Sequence, residues 1–354
     1  MRSVIKTWQP LIQSEISSII RDFSKTHAVF ELDEAQLQYL ETLSNSGKQF
    51  RGCVLAGFYS LLQPDTTNEE KKVIARLAAA VELHGTAILI HDDIIDKSAT
   101  RRGMETAHYF ATGTAKKTRL VDAQHFGVGA AICMADVLFF LADKTVAELD
   151  LPADLKIKLA AINAEELALL GLAEIEDMRL SSSNEQFSKD DILKMFAGKT
   201  GRYTGRWPLH LAAVMAQLPS KLSTTVAAVG EKIGVLYQLK DDELGIFGDE
   251  NITGKSTTSD IIEGKKTFYY WHLLQLPIKE RTKVFKVLGN PKATSKQLTW
   301  LKDFIQQQGI KEQVTEEMLF LKKEVVIEIS DLDIAESSRQ FLMDVVEFVV
   351  ARDK

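Results

Sequence analysis

The sequence predicts an all-α protein. Apolar residues recur at three- and four-residue steps along most of the chain. Seven prolines in 354 residues, with no sustained period-two runs, argue against a large sheet. From 70 to 96, Ile74, Leu77, Ala78, Val81, Gly85 and Ile88 fall on one helical face. The longest apolar stretch, 127–142, carries Asp136, is too short for a membrane span and reads as a buried core helix. Residues 153–180 read as one long helix, with Pro152 near its first turn and Ser181-Ser182-Ser183-Asn184 ending it. Ser188 followed by Asp191 has the spacing of an N-cap, opening the next helix. Beyond it the helical pattern continues, with breaks near Gly309 and Ser330. No repeat, low-complexity tract or linker interrupts the chain, so residues 1–354 are expected to form a single domain of antiparallel helices.

Two segments depart from this pattern. Residues 100–123 mix basic residues, Gly and Thr, and residues 248–266 are too polar and Gly-rich for a core helix. Each follows an acidic motif, and loops so placed can carry function.

Composition narrows the function classes. The chain is 45% hydrophobic and 26% charged, with a net charge of −6, so nothing points to nucleic acid as a partner. Cys53 and Cys133 have no metal-site spacing, and two cysteines in so long a chain fit a reducing compartment. The first residues contain no apolar signal region. A cytoplasmic protein without a membrane span is the expectation.

The chemistry is concentrated in His91-Asp92-Asp93-Ile94-Ile95-Asp96 and in a second pair, Asp241-Asp242. On a helix Asp92 and Asp96 stand one turn apart on one face. The apolar run 87–90 leads directly into them, where unpaired acids are costly. Two such carboxylates repel until a hard cation meets them, and Mg²⁺ takes few carboxylates, completing its shell with water and phosphate oxygens. A solvated acidic face is the alternative, and the second motif weighs against it. Cations accompany the acids: Lys48 and Arg51, Arg101 and Arg102, Lys199, Lys240, Lys255, Lys265 and Lys266. Singly each reads as a surface charge. Together they suit a polyanion gripped partly through metal and partly by basic side chains.

At this point the chain resembles the trans-isoprenyl diphosphate synthases, also called polyprenyl synthetases. The resemblance runs from about residue 46 to 267 through GKQFR (47–51), DDIID with RRG (92–103), KTGRYT (199–204), YQLKDDELGIFGD (237–249) and GKSTTSDIIEGKKT (254–267), with further helices at 268–354. It implies the isoprenoid synthase fold, helices around a deep central cavity, as a homodimer. The implied reaction joins isopentenyl diphosphate to an allylic diphosphate (dimethylallyl, geranyl or farnesyl). By resemblance Asp92, Asp96 and Asp241 hold three Mg²⁺ ions; Arg101, Lys199 and Lys255 hold the allylic diphosphate; and Lys48, Arg51 and Arg102 hold isopentenyl diphosphate. Backbone carbonyls near Lys199 and Thr200, with Gln238, steady the allylic cation, and residues 248–266 close the site.

Three positions depart from the family pattern. Gly245 replaces the last acid of the second motif, and a helical Gly costs about 1 kcal/mol relative to Ala, which suggests a packing reason. Gly85 stands where many relatives carry His or Gln, and Glu174 stands where Gln is usual. DDELG and KTGRYT are similar to the geranylgeranyl diphosphate synthase branch. Ala87 and Ile88, about one turn before Asp92, leave room for a growing tail, with a stop expected in the helix containing 134–140. The alternatives are farnesyl or longer-chain synthesis, a terpene cyclase, and a non-catalytic partner subunit of a heteromeric synthase. A cyclase needs no second diphosphate site, and a partner subunit should have lost several of these charges.

Overall fold

The structure, a computed structural model, describes residues 1–27, 33–182, 187–248 and 258–353. The chain falls into two compact units, residues 1–161 with 214–217, and residues 162–213 with 218–354.

The first unit contains α1 (Arg2–His27), α2 (Asp33–Asn45), α3 (Phe50–Leu62), α4 (Asn68–Ile95), a hairpin of β1 (Thr100–Arg101) and β2 (Met104–Glu105), α5 (Ala107–Lys117) and α6 (Ala123–Ala147). The long helix α7 (Ala153–Ser182) begins here and continues into the second unit. Helix α4 is its centre. Thr67 and Glu70 form a capping box that starts it. Leu77 to Val81 are wholly buried, and the alanines at 78–80 let α1, α3 and α6 approach closely. Ile12, Ile16, Leu55, Phe58 and Leu138 complete this core. Fully burying a side chain of this kind stabilises by roughly 1.5–3 kcal/mol.

Helix α6 departs from the expectation of a buried helix. Ile132 and Phe140 are exposed, and less than half of its most apolar stretch is buried. Helices α4 and α6 are both long and apolar enough to cross a membrane, but most of that stretch of α4 lies in the core. Residues 100–123 are more ordered than their composition suggests, since they hold the hairpin and α5.

The second unit contains α8 (Lys189–Phe196), a π-helix (Ala197–Arg206), α9 (Trp207–Met215), α10 (Ser220–Phe247), α11 (Ser259–Glu263), α12 (Phe268–Leu274), α13 (Ile278–Val284), α14 (Ser295–Gln307), α15 (Ile310–Ser330) and α16 (Glu336–Val350). The last residues of α9 group with the first unit. Ser188 and Asp191 form the expected capping box, and Gly309, in the left-handed region, precedes α15. Helix α10 is the centre of this unit, burying Val226, Val229, Ile233, Leu236 and Leu239, with α15 and α16 packed on it.

Candidate active site

The first acidic motif closes α4. Asp92 and Asp93 lie in its last turn and Asp96 follows it, with the Asp96 N–H donating to the Asp92 carbonyl at 2.8 Å. The helix-like relation of Asp92 and Asp96 therefore survives past the helix end. Three acids crowd the negative end of a helix dipole, which disfavours them without positive charge nearby. The hairpin brings that charge. Arg102 and Gly103 form its tip at φ 53° and 76°, the paired positive φ of a type I′ turn. The turn folds Arg101 back onto α4, where it donates to Asp93 at 2.6 Å and Asp92 at 2.8 Å.

Arg102 goes elsewhere. Its guanidinium lies against Gly47, so close that a Cβ there would sit 2.5 Å from Nη1. Glycine at 47 thus lets the RRG tip meet the GKQFR loop. The loop is held from below. Gln49, 3% exposed and left-handed at φ 46°, precedes α3 and donates to the Ser44 carbonyl at 2.7 Å. Gln9 donates to Gln49 and to the Gly47 carbonyl, and the buried Glu82 accepts from the Gly52 N–H at 2.7 Å. Lys48 is exposed, and Arg51 lies in the first turn of α3.

The second unit holds its own set of the expected residues. The π-helix packs on α10 backbone to backbone. A Cβ on Gly205 would lie 1.9 Å from the Gly230 carbonyl oxygen, and one on Gly234 would lie 2.5 Å from that of Gly201. Arg202 and Arg206 of the π-helix both donate to Glu166 of α7, at 2.9 Å and 3.1 Å, and lie near Glu231 of α10. Burial raises the pKa of Glu166, and both arginines oppose that rise. Held this way, Thr200 donates to Gln238, whose amide donates to Asp242 at 2.7 Å. Lys199 donates to Asp177 at 2.7 Å and Glu174 at 3.0 Å. These two acids of α7 thereby acquire a common partner, at one of the positions that depart from the family pattern.

On α10, Asp241 and Asp242 face different surroundings. Asp242 is 4% exposed; its burial, then the nearby Asp260 and Asp241 carboxylates, push its pKa well above the carboxylate range. Asp241 accepts from Arg352 at 3.0 Å. That arginine also donates to the Tyr237 carbonyl and stacks on the Tyr237 ring at 3.6 Å. Lys240 pairs with Glu243, and Lys265 with Asp260 and Glu263. Lys266 is buried over the Tyr270 ring at 3.9 Å, a packing role. Lys255, with residues 249–257 of the expected closing segment, lies outside the described residues.

The acids offer only hard oxygen donors. Among the described residues no three His, Cys, Asp or Glu side chains converge as a ready-made metal cage. Carboxylate oxygens suit Mg²⁺ better than zinc, because Mg²⁺ takes one or two carboxylates and fills its shell with phosphate and water. Arginines within 3.0 Å of Asp92, Asp93 and Asp241 show that each carboxylate already points at positive charge. The donor set fits the ion.

Residues 34–305 match the model of the polyprenyl synthetase family. The chain belongs to the polyprenyl synthetase family. It is therefore a prenyl-transferring enzyme with the all-α isoprenoid synthase fold. This polyprenyl synthetase is 25% identical to the geranylgeranyl diphosphate synthase of Sulfolobus acidocaldarius, over 84% of each chain. It is 29% identical to that of Mycobacterium tuberculosis, over 73% of this chain and 67% of the relative. Its fold matches a crystal structure of geranylgeranyl pyrophosphate synthase from Corynebacterium glutamicum complexed with isoprenyl diphosphate and magnesium. The TM-score is 0.89 at 24% identity, covering 98% of both chains.

Of the expected site residues, the structure brings Asp92 to Arg101, Arg102 to the loop of Lys48 and Arg51, and Thr200 to Gln238. Sequence reasoning gave no role to Asp93, Glu166 or Arg352. Asp93 lay inside the motif and could have been read from it. Arg352 gave no local signal, because its partner Asp241 is 111 residues away.

Proposed function

We propose that this polyprenyl synthetase condenses isopentenyl diphosphate head to tail with allylic diphosphates, yielding geranylgeranyl diphosphate. The observation that carries this is the divergence of two neighbouring arginines. Arg101 turns to the acids of α4, and Arg102 turns to the GKQFR loop. One hairpin thus serves two anion sites, as a reaction with two diphosphate substrates requires and a cyclase does not.

Mg²⁺ bound with the allylic diphosphate would neutralise it and make it a better leaving group. Asp92, Asp96 and Asp241 would hold the ions. Arg101 and Lys199 exchange carboxylate partners for phosphate oxygens when substrate arrives, and Lys255 joins them. Lys48, Arg51 and Arg102 hold isopentenyl diphosphate so that its C4 lies against C1 of the allylic group. The C1–O bond breaks and the C4–C1 bond forms. Thr200, with the π-helix carbonyls and Gln238, steadies the positive charge between these events. The proton lost from C2 of the former isopentenyl unit goes to the released diphosphate.

We also infer a homodimer. Ile132, Asp136 and Phe140 lie along one face of α6, and an added Cβ at Gly129 on that face meets open space. A second copy covers such a face. The two cysteines are free thiols, consistent with the cytoplasm. Incubation with isopentenyl diphosphate, each allylic primer and Mg²⁺, followed by chain-length analysis, tests the reading. A twenty-carbon product is expected; a cyclic terpene, or no condensation with any primer, overturns it.

A further inference from the structure

The loop between α5 and α6 is pinned at both ends. Helix α5 finishes in a Schellman motif: the Arg119 N–H donates to the Lys116 carbonyl at 3.2 Å, and the Leu120 N–H to the Ala115 carbonyl at 3.0 Å. The motif needs one left-handed residue, usually glycine; here Arg119 takes that place at φ 59°. Asp122 then caps α6, its carboxylate accepting from the His125 N–H at 3.0 Å.

What this loop displays is costly for a free surface. The apolar residue after the left-handed one ordinarily packs back on its helix. Leu120 is instead 41% exposed, and Val121 is fully exposed. Lys116, Lys117 and Arg119 are exposed beside them. Among the described residues none of these three cations forms an ion pair, and Asp122, the acid next to them, is committed to its cap. The outer face of α5 continues the patch. Tyr109 is 45% exposed, and a Cβ added at Gly113, one turn on, meets open space.

The loop also projects. Helices α4 and α6 are antiparallel, since His84 meets Asp143 at 3.0 Å and the His91 ring lies 5.6 Å from that of Phe139. Asp96 is therefore level with about residue 131, and α6 runs on past it for about nine residues, roughly 13 Å. The cations and the two aliphatic side chains stand at the far end of that extension.

A cluster of cations in a chain of net charge −6 needs a local reason. Cations alone would suit any polyanion, but the backbone of a nucleic acid offers nothing to Leu120 and Val121. A bilayer of anionic lipid offers phosphate at its surface and hydrocarbon beneath it, and a tyrosine ring suits the boundary. We propose that residues 116–121 dock this chain on an anionic lipid surface, with the three cations on headgroup phosphates and Leu120 and Val121 entering the acyl boundary. The docking is independent of the reaction proposed above.

Co-sedimentation of the full chain with vesicles tests this. The wild type should bind vesicles of phosphatidylglycerol mixed with phosphatidylcholine, should bind phosphatidylcholine alone far less, and should be released by roughly 0.5 M salt. Lys116→Gln/Lys117→Gln/Arg119→Gln should weaken binding about 100-fold. Leu120→Ser/Val121→Ser should weaken it at least about 10-fold. Both sets are on the surface and should keep the wild-type unfolding midpoint, and Ile132→Ser/Phe140→Ser should keep the wild-type binding. No binding to the anionic vesicles, equal binding to the uncharged ones, or wild-type binding in either loop variant overturns the proposal. So does a loop variant that, without lipid, sediments at a lower mass than the wild type, because a second copy then covers the loop. If vesicle binding behaves as expected and no prenyl product forms, only the reaction reading falls.

Discussion

At the scale of single residues, acids and bases of the expected site neutralise each other in pairs, which we propose substrate would separate. Arg101 on Asp92 and Asp93 is the clearest case. Charge-assisted hydrogen bonds of this kind contribute about 1.5–3 kcal/mol each. Arg101→Ala should therefore lower kcat/KM for the allylic substrate about 10- to 100-fold, with a smaller effect on isopentenyl diphosphate. Arg102→Ala should do the reverse, because its guanidinium sits on the GKQFR loop. Steady-state kinetics with each substrate varied in turn checks this; equal losses in both variants would mean that the hairpin does not divide two sites. We expect single residues to set chain length as well. Ala87 is wholly buried, whereas Ile88 is partly exposed, so of the two only Ile88 borders open space. Ile88→Phe should shorten the product towards fifteen carbons. Ala87→Phe should instead overpack the core, costing about 1–3 kcal/mol. Product analysis and thermal unfolding separate the two, and an unchanged product in Ile88→Phe removes Ile88 from the tail's path. Much of this chemistry could be read in the sequence, because the acids and cations lie in short motifs whose spacing is local. Which cation meets which acid could not, since Arg352 reaches Asp241 only through the packing of α16 on α10.

At the scale of elements, the π-helix is the feature that sequence periodicity missed. A ten-residue π-helix has its own spacing, and KTGRYT reads equally well as an ordinary helix. The signal lay in the glycines. Gly201 and Gly205 are four apart, as are Gly230 and Gly234, and the two pairs interlock. The widened turn is held by this contact and by Glu166 between Arg202 and Arg206. Gly205→Ala drives a methyl into the Gly230 backbone, which cannot yield as a side chain would. It should destabilise by about 1–3 kcal/mol and reduce turnover by misplacing Thr200 against Gln238. Glu166→Gln leaves two largely buried guanidinium groups without their charge partner. Breaking a buried pair costs about 3–5 kcal/mol, less here because both arginines retain contact with Glu231. Denaturant unfolding with kinetics on the folded fraction tests both. Wild-type stability in Gly205→Ala would mean that the two helices stand farther apart than described. Helix limits were legible where caps exist, as at Ser188, and hidden where composition misled, as at α5.

At the scale of the whole molecule, α6 poses the remaining question. Its composition suggests a core helix, yet Phe140 is 70% exposed and Ile132 43% exposed. Periodicity could not reveal this, because a helix that is apolar nearly all round looks the same whether one chain or two cover it. Fully burying a large apolar side chain is worth roughly 1.5–3 kcal/mol, of which Phe140 forgoes most and Ile132 a smaller part. In the homodimer proposed above, a second copy would recover that free energy, and a twofold interface would set the same face of α6 against itself. Asp136 lies on that face between the two, which favours a partner that leaves it a polar contact over a lipid core that does not. Phe140→Lys and Ile132→Lys each place a charge on the apolar face and, in a twofold interface, oppose it to its own copy. Combined, they should convert a species of twice the monomer mass into monomer, with the helical circular dichroism of each chain retained. Sedimentation velocity at several protein concentrations reads this directly. A wild type that is monomeric at every concentration, or a double variant that still sediments as a dimer, would show that another surface covers α6. Association of the wild type with uncharged phosphatidylcholine vesicles, abolished in the double variant, would show that lipid covers it.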